Sequence, residues 1–273
     1  MRTAVLAALF VVIAPQLHAQ ARRRPSLIQA QNVGAGVDLS DPAMGASAPA
    51  DASSGASALA HGNPIAVSQL RIPSKARKEF ERSEKAFQAG DLRASADHLE
   101  KAVQIYPDFV QAHNVLGTRY AGLGKYDDSL SEYERALTID PHSGETYHNF
   151  AIVLFSLGRL DESEQAARRA LELLPQEIAT KYVLGCILIK QNKITPEAVK
   201  LLNESEGQFP NATLVLAQAA FKQGHTDDAV AKLRAYLSAP QAENKPKVEC
   251  WIAQLTHEPA SACAAAGSTP DPH

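Results

Sequence analysis

Between Ala76 and Pro240, apolar residues recur with helical spacing in segments of about fourteen residues, and the segments come in pairs. A glycine breaks each pair in the middle and a proline closes it. Gly90, Gly124 and Gly158 stand 34 residues apart, and so do Pro107, Pro141 and Pro175. Ser95, Ser129 and Ser163 keep the same period, as do Ala102, Ala136 and Ala170, while Leu99 and Tyr133 match as bulky apolar residues. A glycine can take the left-handed conformation that ends one helix, and a proline cannot continue the next. Each unit therefore predicts a helical hairpin. Small residues at Gly117, Ala151 and Gly185 in first helices, and at the three alanines in second helices, predict closely approaching helix axes. A repeat period in this range predicts a solenoid.

The pattern loosens toward the end of the chain. Asn192 replaces the turn glycine, Thr195-Pro196 reads as an inserted helix start, and Pro210 follows Pro175 by 35 residues. Asparagine tolerates the left-handed conformation, so this hairpin persists. A unit compressed to 30 residues between Pro210 and Pro240 keeps Leu216, Ala217, Gly224, Ala229 and Leu233, as end units of stacked repeats often deviate. Beyond it a helix is expected from about Lys245 to His257, with Pro246 in its first turn. Val248, Trp251, Ile252 and Leu255 form its apolar face, flanked by Lys247 and Glu249, and would cap the last hairpin.

The stretch ALTIDPHSGETYHNFAIVLFSLGRLDESEQAARRALELLP resembles a tetratricopeptide repeat. In the second unit Leu116, Gly117, Tyr120, Gly124, Tyr126, Tyr133, Ala136, Leu137 and Pro141 fall on the family's pattern, with His113 where tryptophan is commonest. The third matches at Tyr147, Phe150, Ala151, Leu154, Gly158, Ala170, Leu171 and Pro175, and the first matches mainly in its second half. The resemblance implies an all-α fold, a right-handed α-solenoid of about five hairpins (residues 76–109, 110–143, 144–177, 178–209 and 210–240) with the capping helix at 241–257.

The ends of the chain have a different texture. Met1, Arg2 and Thr3 precede an apolar run from Ala4 to Ala14, long enough for a signal-peptide core and too short to span a bilayer. Residues 1–21 read as an export signal, with cleavage before Gln20 or before Arg22. No cysteine follows that region, so the expected product is soluble, periplasmic or secreted, and not a lipoprotein. Residues 22–73 are rich in Ala, Ser, Gly and Pro and read as a disordered tether, and residues 258–273 as a disordered tail.

Charge and chemistry narrow the function further. Lysine and arginine number 27 against 30 acidic residues, a net charge of −3, which leaves no surplus for holding nucleic acid. Three cysteines are too few and too scattered for a zinc site. The sequence contains no phosphate-cradling glycine loop, HExxH or GxSxG motif. His98, His113 and His148 take different repeat positions, which disfavours a shared metal site, and Ser129 and Ser163 stand where the hairpin needs a small residue. Neither a catalytic set, a metal site nor a cofactor is expected. In the oxidising compartment that export implies, Cys250 of the cap and Cys263 of the tail are candidates for a disulfide that leaves Cys186 as the odd thiol, one of three pairings between which the sequence does not choose.

The family resemblance implies a concave groove lined by first helices that takes extended peptides or partner helices. Its positions correspond here to Phe80 and Phe87; Asn114, Val115 and Thr118; His148, Asn149, Ile152 and Phe155; and Tyr182, Val183, Cys186 and Ile189. The fifth repeat adds Leu214, Val215, Gln218 and Phe221. Packing between repeats competes with groove lining as the role of Phe87, Phe155 and Phe221. The lysine, asparagine and arginine clamp of chaperone-binding relatives is missing, because Phe80, Val115, Ala179 and Val183 occupy the corresponding places. The expected function is a non-enzymatic scaffold of the cell envelope that binds an apolar peptide or amphipathic helix of another protein, without nucleic acid and without membrane insertion after signal removal. The alternative is a self-associating structural solenoid whose groove accepts its own leader or another copy.

Overall fold

The computed structural model describes residues 72–240, 242 and 245–258. The expected signal and the tether up to residue 71 lie outside them, as does the tail from residue 259. Among the described residues there are eleven α-helices and no strand: α1 (Ser74–Gln88), α2 (Leu92–Ile105), α3 (Val110–Gly122), α4 (Tyr126–Ile139), α5 (Gly144–Ser156), α6 (Leu160–Leu173), α7 (Ile178–Lys190), α8 (Pro196–Ser205), α9 (Asn211–Lys222), α10 (Thr226–Ser238) and α11 (Lys245–Thr256). They fall into two compact units that divide between Pro175 and Gln176.

One turn closes all five hairpins. Gly90, Gly124, Gly158 and Gly224 have φ of 80°, 75°, 74° and 85°, and Asn192 takes φ 63° in the equivalent place. Each donates its N–H three residues back, and the following residue donates five residues back, as with Gly124 to Ala121 O (3.0 Å) and Lys125 to Tyr120 O (2.9 Å). Asn192 and Lys193 repeat the pattern on Ile189 O (3.0 Å) and Leu188 O (2.8 Å). This pair of bonds satisfies carbonyls that a helix end would otherwise leave bare. Side chains cap several helix starts: Asp91 accepts from Ala94 N at 2.8 Å, Ser143 from Thr146 N at 3.3 Å and Thr195 from Ala198 N at 3.2 Å. Thr195 and Pro196 thus begin an ordinary second helix, the ten-residue α8.

In the first unit, α1 to α6, small residues set the helix spacing. A Cβ on Gly117 would lie 2.8 Å from the Tyr133 ring, so the tyrosine of α4 fills the space that the glycine of α3 leaves. Ser163 Oγ donates to Ala151 O at 2.7 Å, joining α6 to α5. Arg119 of α3 is buried. Its Nε donates to Ser95 Oγ (3.0 Å), Ser95 and Ser83 hydroxyls lie 2.8 Å apart, and the guanidinium sits 3.7 Å over the Phe87 ring while pairing with Glu84 at 3.3 Å. Burial lowers the Arg119 pKa and raises that of Glu84, whereas their pairing opposes both shifts. Ala76, Leu99, Phe109, Ala112 and Leu116 pack beside this network, with Phe80 against Phe109 at 5.3 Å between ring centres.

In the second unit, α7 to α11, the close approach recurs: a Cβ on Gly185 would come within 2.7 Å of Leu202. Leu233, Tyr236 and Ala217 pack with Val248, Ile252 and Leu255 of α11, and Trp251, Leu214 and Phe221 lie partly buried against them. The last helix therefore covers the end of the α9–α10 hairpin.

Candidate peptide-binding faces

Repeat position alone selected the candidate residues, and burial now separates them. In the first unit, α3 and α5 meet along a polar seam. Asn149 Nδ2 donates to Asn114 Oδ1 at 3.1 Å, and Asn114 Nδ2 donates to Glu145 Oε1 at 3.2 Å. Thr118 Oγ1 donates to Asn114 O at 3.2 Å and lies 3.0 Å from the Tyr133 hydroxyl. Asn149 is only 4% exposed, and its Oδ1 has no hydrogen-bond partner. That atom is an acceptor removed from water and left unsatisfied, a costly state unless a donor is supplied. Val115 and Thr118 are half-buried beside the seam.

His148, Ile152 and Phe155 follow along α5 and are all buried. Burial pushes the His148 imidazole down to about 4, so it is neutral at pH 7. Phe80 is half-buried in the first unit's cluster, and Phe87 is 36% exposed under the Arg119 guanidinium.

The expectation of apolar side chains lying open to a ligand needs correction at six positions. Ile152 and Tyr182 are 4% and 1% exposed, and Phe155, Val183, Cys186 and Ile189 are also buried. Tyr182 stacks on Phe209 with ring centres 4.8 Å apart and an angle of 3°. Sequence periodicity cannot distinguish an open apolar position from a covered one, since both carry the same residue types. In the second unit the half-buried positions are Leu214, Val215, Gln218 and Phe221 of α9. Lys222 donates from Nζ to Ile189 O at 3.1 Å, covering a carbonyl at the end of α7, and burial lowers its pKa.

Two features were missed by repeat-position reasoning. Glu145 occupies the second position of the third repeat, within the pattern used, but its role emerges only from the bond to Asn114. The Arg119–Phe87 contact joins residues 32 positions apart and has no local signal. The histidines have separate partners: His98 Nδ1 lies 2.8 Å from Glu79, and His113 lies 2.6 Å from Glu132 and 2.9 Å from Pro107 O. Among the described residues, no group of three or more His, Cys, Asp or Glu is placed to hold a metal. None of the described helices is long and apolar enough to cross a membrane. Cys186 is a buried, reduced thiol, and Cys250 is disulfide-bonded. Cys263, its expected partner, lies outside the described residues.

Tetratricopeptide repeat models match residues 108–176 and 182–246. The chain belongs to the tetratricopeptide repeat proteins. Solved structures agree on the fold, an all-α solenoid. PilW, a widely conserved type IV pilus biogenesis factor, aligns with a TM-score of 0.61 at 22% identity over 71% of this chain and 91% of its own. Pseudomonas aeruginosa PilF aligns at 0.57 and 18% identity, covering 71% and 89%. A tetratricopeptide repeat protein from Parabacteroides merdae ATCC 43184 aligns at 0.61 and 18%, covering 70% and 77%. At these identities the likeness shows the fold alone.

Proposed function

We propose that this tetratricopeptide repeat protein is a non-enzymatic scaffold of the cell envelope whose α3–α5 face captures an extended, largely apolar segment of another protein. The observation that carries this reading is the unsatisfied Asn149 Oδ1 beside the half-buried Val115 and Thr118. Asn149 is 4% exposed, so the acceptor is reached only when its amide turns toward the half-buried Val115 and Thr118; an extended backbone then has free N–H groups to offer it, whereas a helix has already used its interior ones. This favours an extended peptide over an amphipathic helix. Envelope placement is supported by the apolar run from Ala4 to Ala14.

The test uses dodecapeptides selected from a random library on the immobilised protein. Asn149→Leu should weaken their binding about tenfold, equivalent to ~1.4 kcal/mol for one buried hydrogen bond, with helicity unchanged by circular dichroism. Methylating the contacting backbone nitrogen should cost the same and add nothing in the variant. Undiminished binding to Asn149→Leu would place capture on another surface.

A further inference from the structure

The bonds of the α3–α5 seam all run one way. A carboxylate has only acceptors, so the Asn114 amide turns Nδ2 toward Glu145 (3.2 Å) and presents its Oδ1 to α5. Asn149 answers with Nδ2 at 3.1 Å, and its Oδ1 is the atom left over. Along this chain of bonds each amide turns its oxygen end away from the carboxylate. The donors beside the seam have partners. Thr118 Oγ1 uses its proton on Asn114 O, so the Tyr133 hydroxyl donates to Thr118. Arg119, the cation of α3, is held by Ser95, Glu84 and the Phe87 ring. The face therefore ends in acceptors: a carboxylate exposed in the first turn of α5 and, one turn further on, a buried amide oxygen.

A partner that satisfies such a face brings donors and positive charge. Glu145 and Asn149 are four residues apart on α5, hence on one side of it and about 6 Å apart along the axis at ~1.5 Å per residue. An extended segment covers that rise in about two residues at ~3.3–3.6 Å each. A backbone N–H on Asn149 Oδ1 thus brings a side chain from about two residues away over Glu145. Lysine fits that place better than arginine. A guanidinium pairs best with both oxygens of a carboxylate, and Glu145 Oε1 already accepts from Asn114, whereas an ammonium needs one oxygen. The lysine stem lies along half-buried Val115 while its head stays in water beside exposed Glu145. We infer that the α3–α5 face reads a lysine side chain of its partner, placing the ammonium on Glu145 and a nearby backbone N–H of the same segment on Asn149 Oδ1. This rests on the α3–α5 face being the capture site.

The test uses the full chain and the dodecapeptides selected on it, resynthesised with an acetylated amino terminus. The selected set should carry lysine within about two residues of the position whose backbone methylation weakens binding. Replacing that lysine with norleucine should weaken binding about fivefold at low salt, the size expected of one exposed ion pair. Glu145→Gln, which keeps an acceptor for Asn114, should do the same. The two changes together should cost no more than either alone, and the salt dependence should vanish with either. Glu145→Lys should reverse the preference, toward peptides with glutamate in place of the lysine, with helicity unchanged by circular dichroism. A selected set without lysine at that place, losses that add, or binding only by peptides with a free amino terminus would each overturn lysine reading. If one of these appears while Asn149→Leu still weakens binding about tenfold, capture at this face stands without a lysine contact; if Asn149→Leu also has no effect, the face is not the site.

Discussion

Acid should destabilise the first unit through one histidine, and the size of the effect follows from its burial. Burial lowers the His148 pKa from 6.5 to about 4, so the unfolded chain takes up a proton that the folded chain refuses. The sign is fixed by that difference: the contribution is complete above about pH 6.5 and is lost as pH falls toward 4. The loss amounts to ~2 kcal/mol at pH 5 and approaches ~3 kcal/mol near pH 4, from ~1.4 kcal/mol per unit of pKa difference. Glutamine at position 148 cannot take up the proton and should remove this component. Urea unfolding followed by circular dichroism at pH 7 and pH 5, in both proteins, isolates it as a double difference. That difference cancels acid-dependent terms common to both, including those of Glu79, Glu162 and Glu204, whose pKa values are lowered mainly by hydrogen bonds from His98, Arg159 and Lys181. Equal acid losses in the two proteins, or a His148 ring that titrates near 6.5 by NMR in the folded state, would refute the reasoning.

Gly117→Ala should cost about 1–3 kcal/mol of unfolding free energy, because its Cβ would press on the Tyr133 ring at 2.8 Å, and pairing it with Tyr133→Phe should leave most of that cost, since the ring stays. Alkylation of the denatured, unreduced chain should label Cys186 alone, with all three cysteines labelled after reduction, as expected for a bond between Cys250 and Cys263; three labels without reductant would exclude it.

The hairpins were legible because their signals are local. Each turn needs a residue that accepts a positive φ, and glycine or asparagine at 90, 124, 158, 192 and 224 marks all five. The candidate face was legible only as a set of positions. Asn114 and Asn149 were selected by repeat position, but their mutual bond and the bond to Glu145 depend on how α3 lies against α5. The apolar candidates divided for a related reason. Ile152 and Tyr182 are buried whereas Val115 remains half-open, although each suits a groove or a core by residue type.

Sequence alone determined where helices stop, which pairs form hairpins, and where a small residue must stand opposite a large one. It could do so because φ preferences, missing N–H groups and helical periodicity act within a few residues of the chain. Tertiary structure decided that the helices form two compact units, that Arg119 is held by Ser95, Glu84 and Phe87, and that one acceptor on Asn149 is left unsatisfied. Those outcomes depend on which side chains reach one another across 24 to 35 positions of sequence, and on which remain accessible to water once they have met.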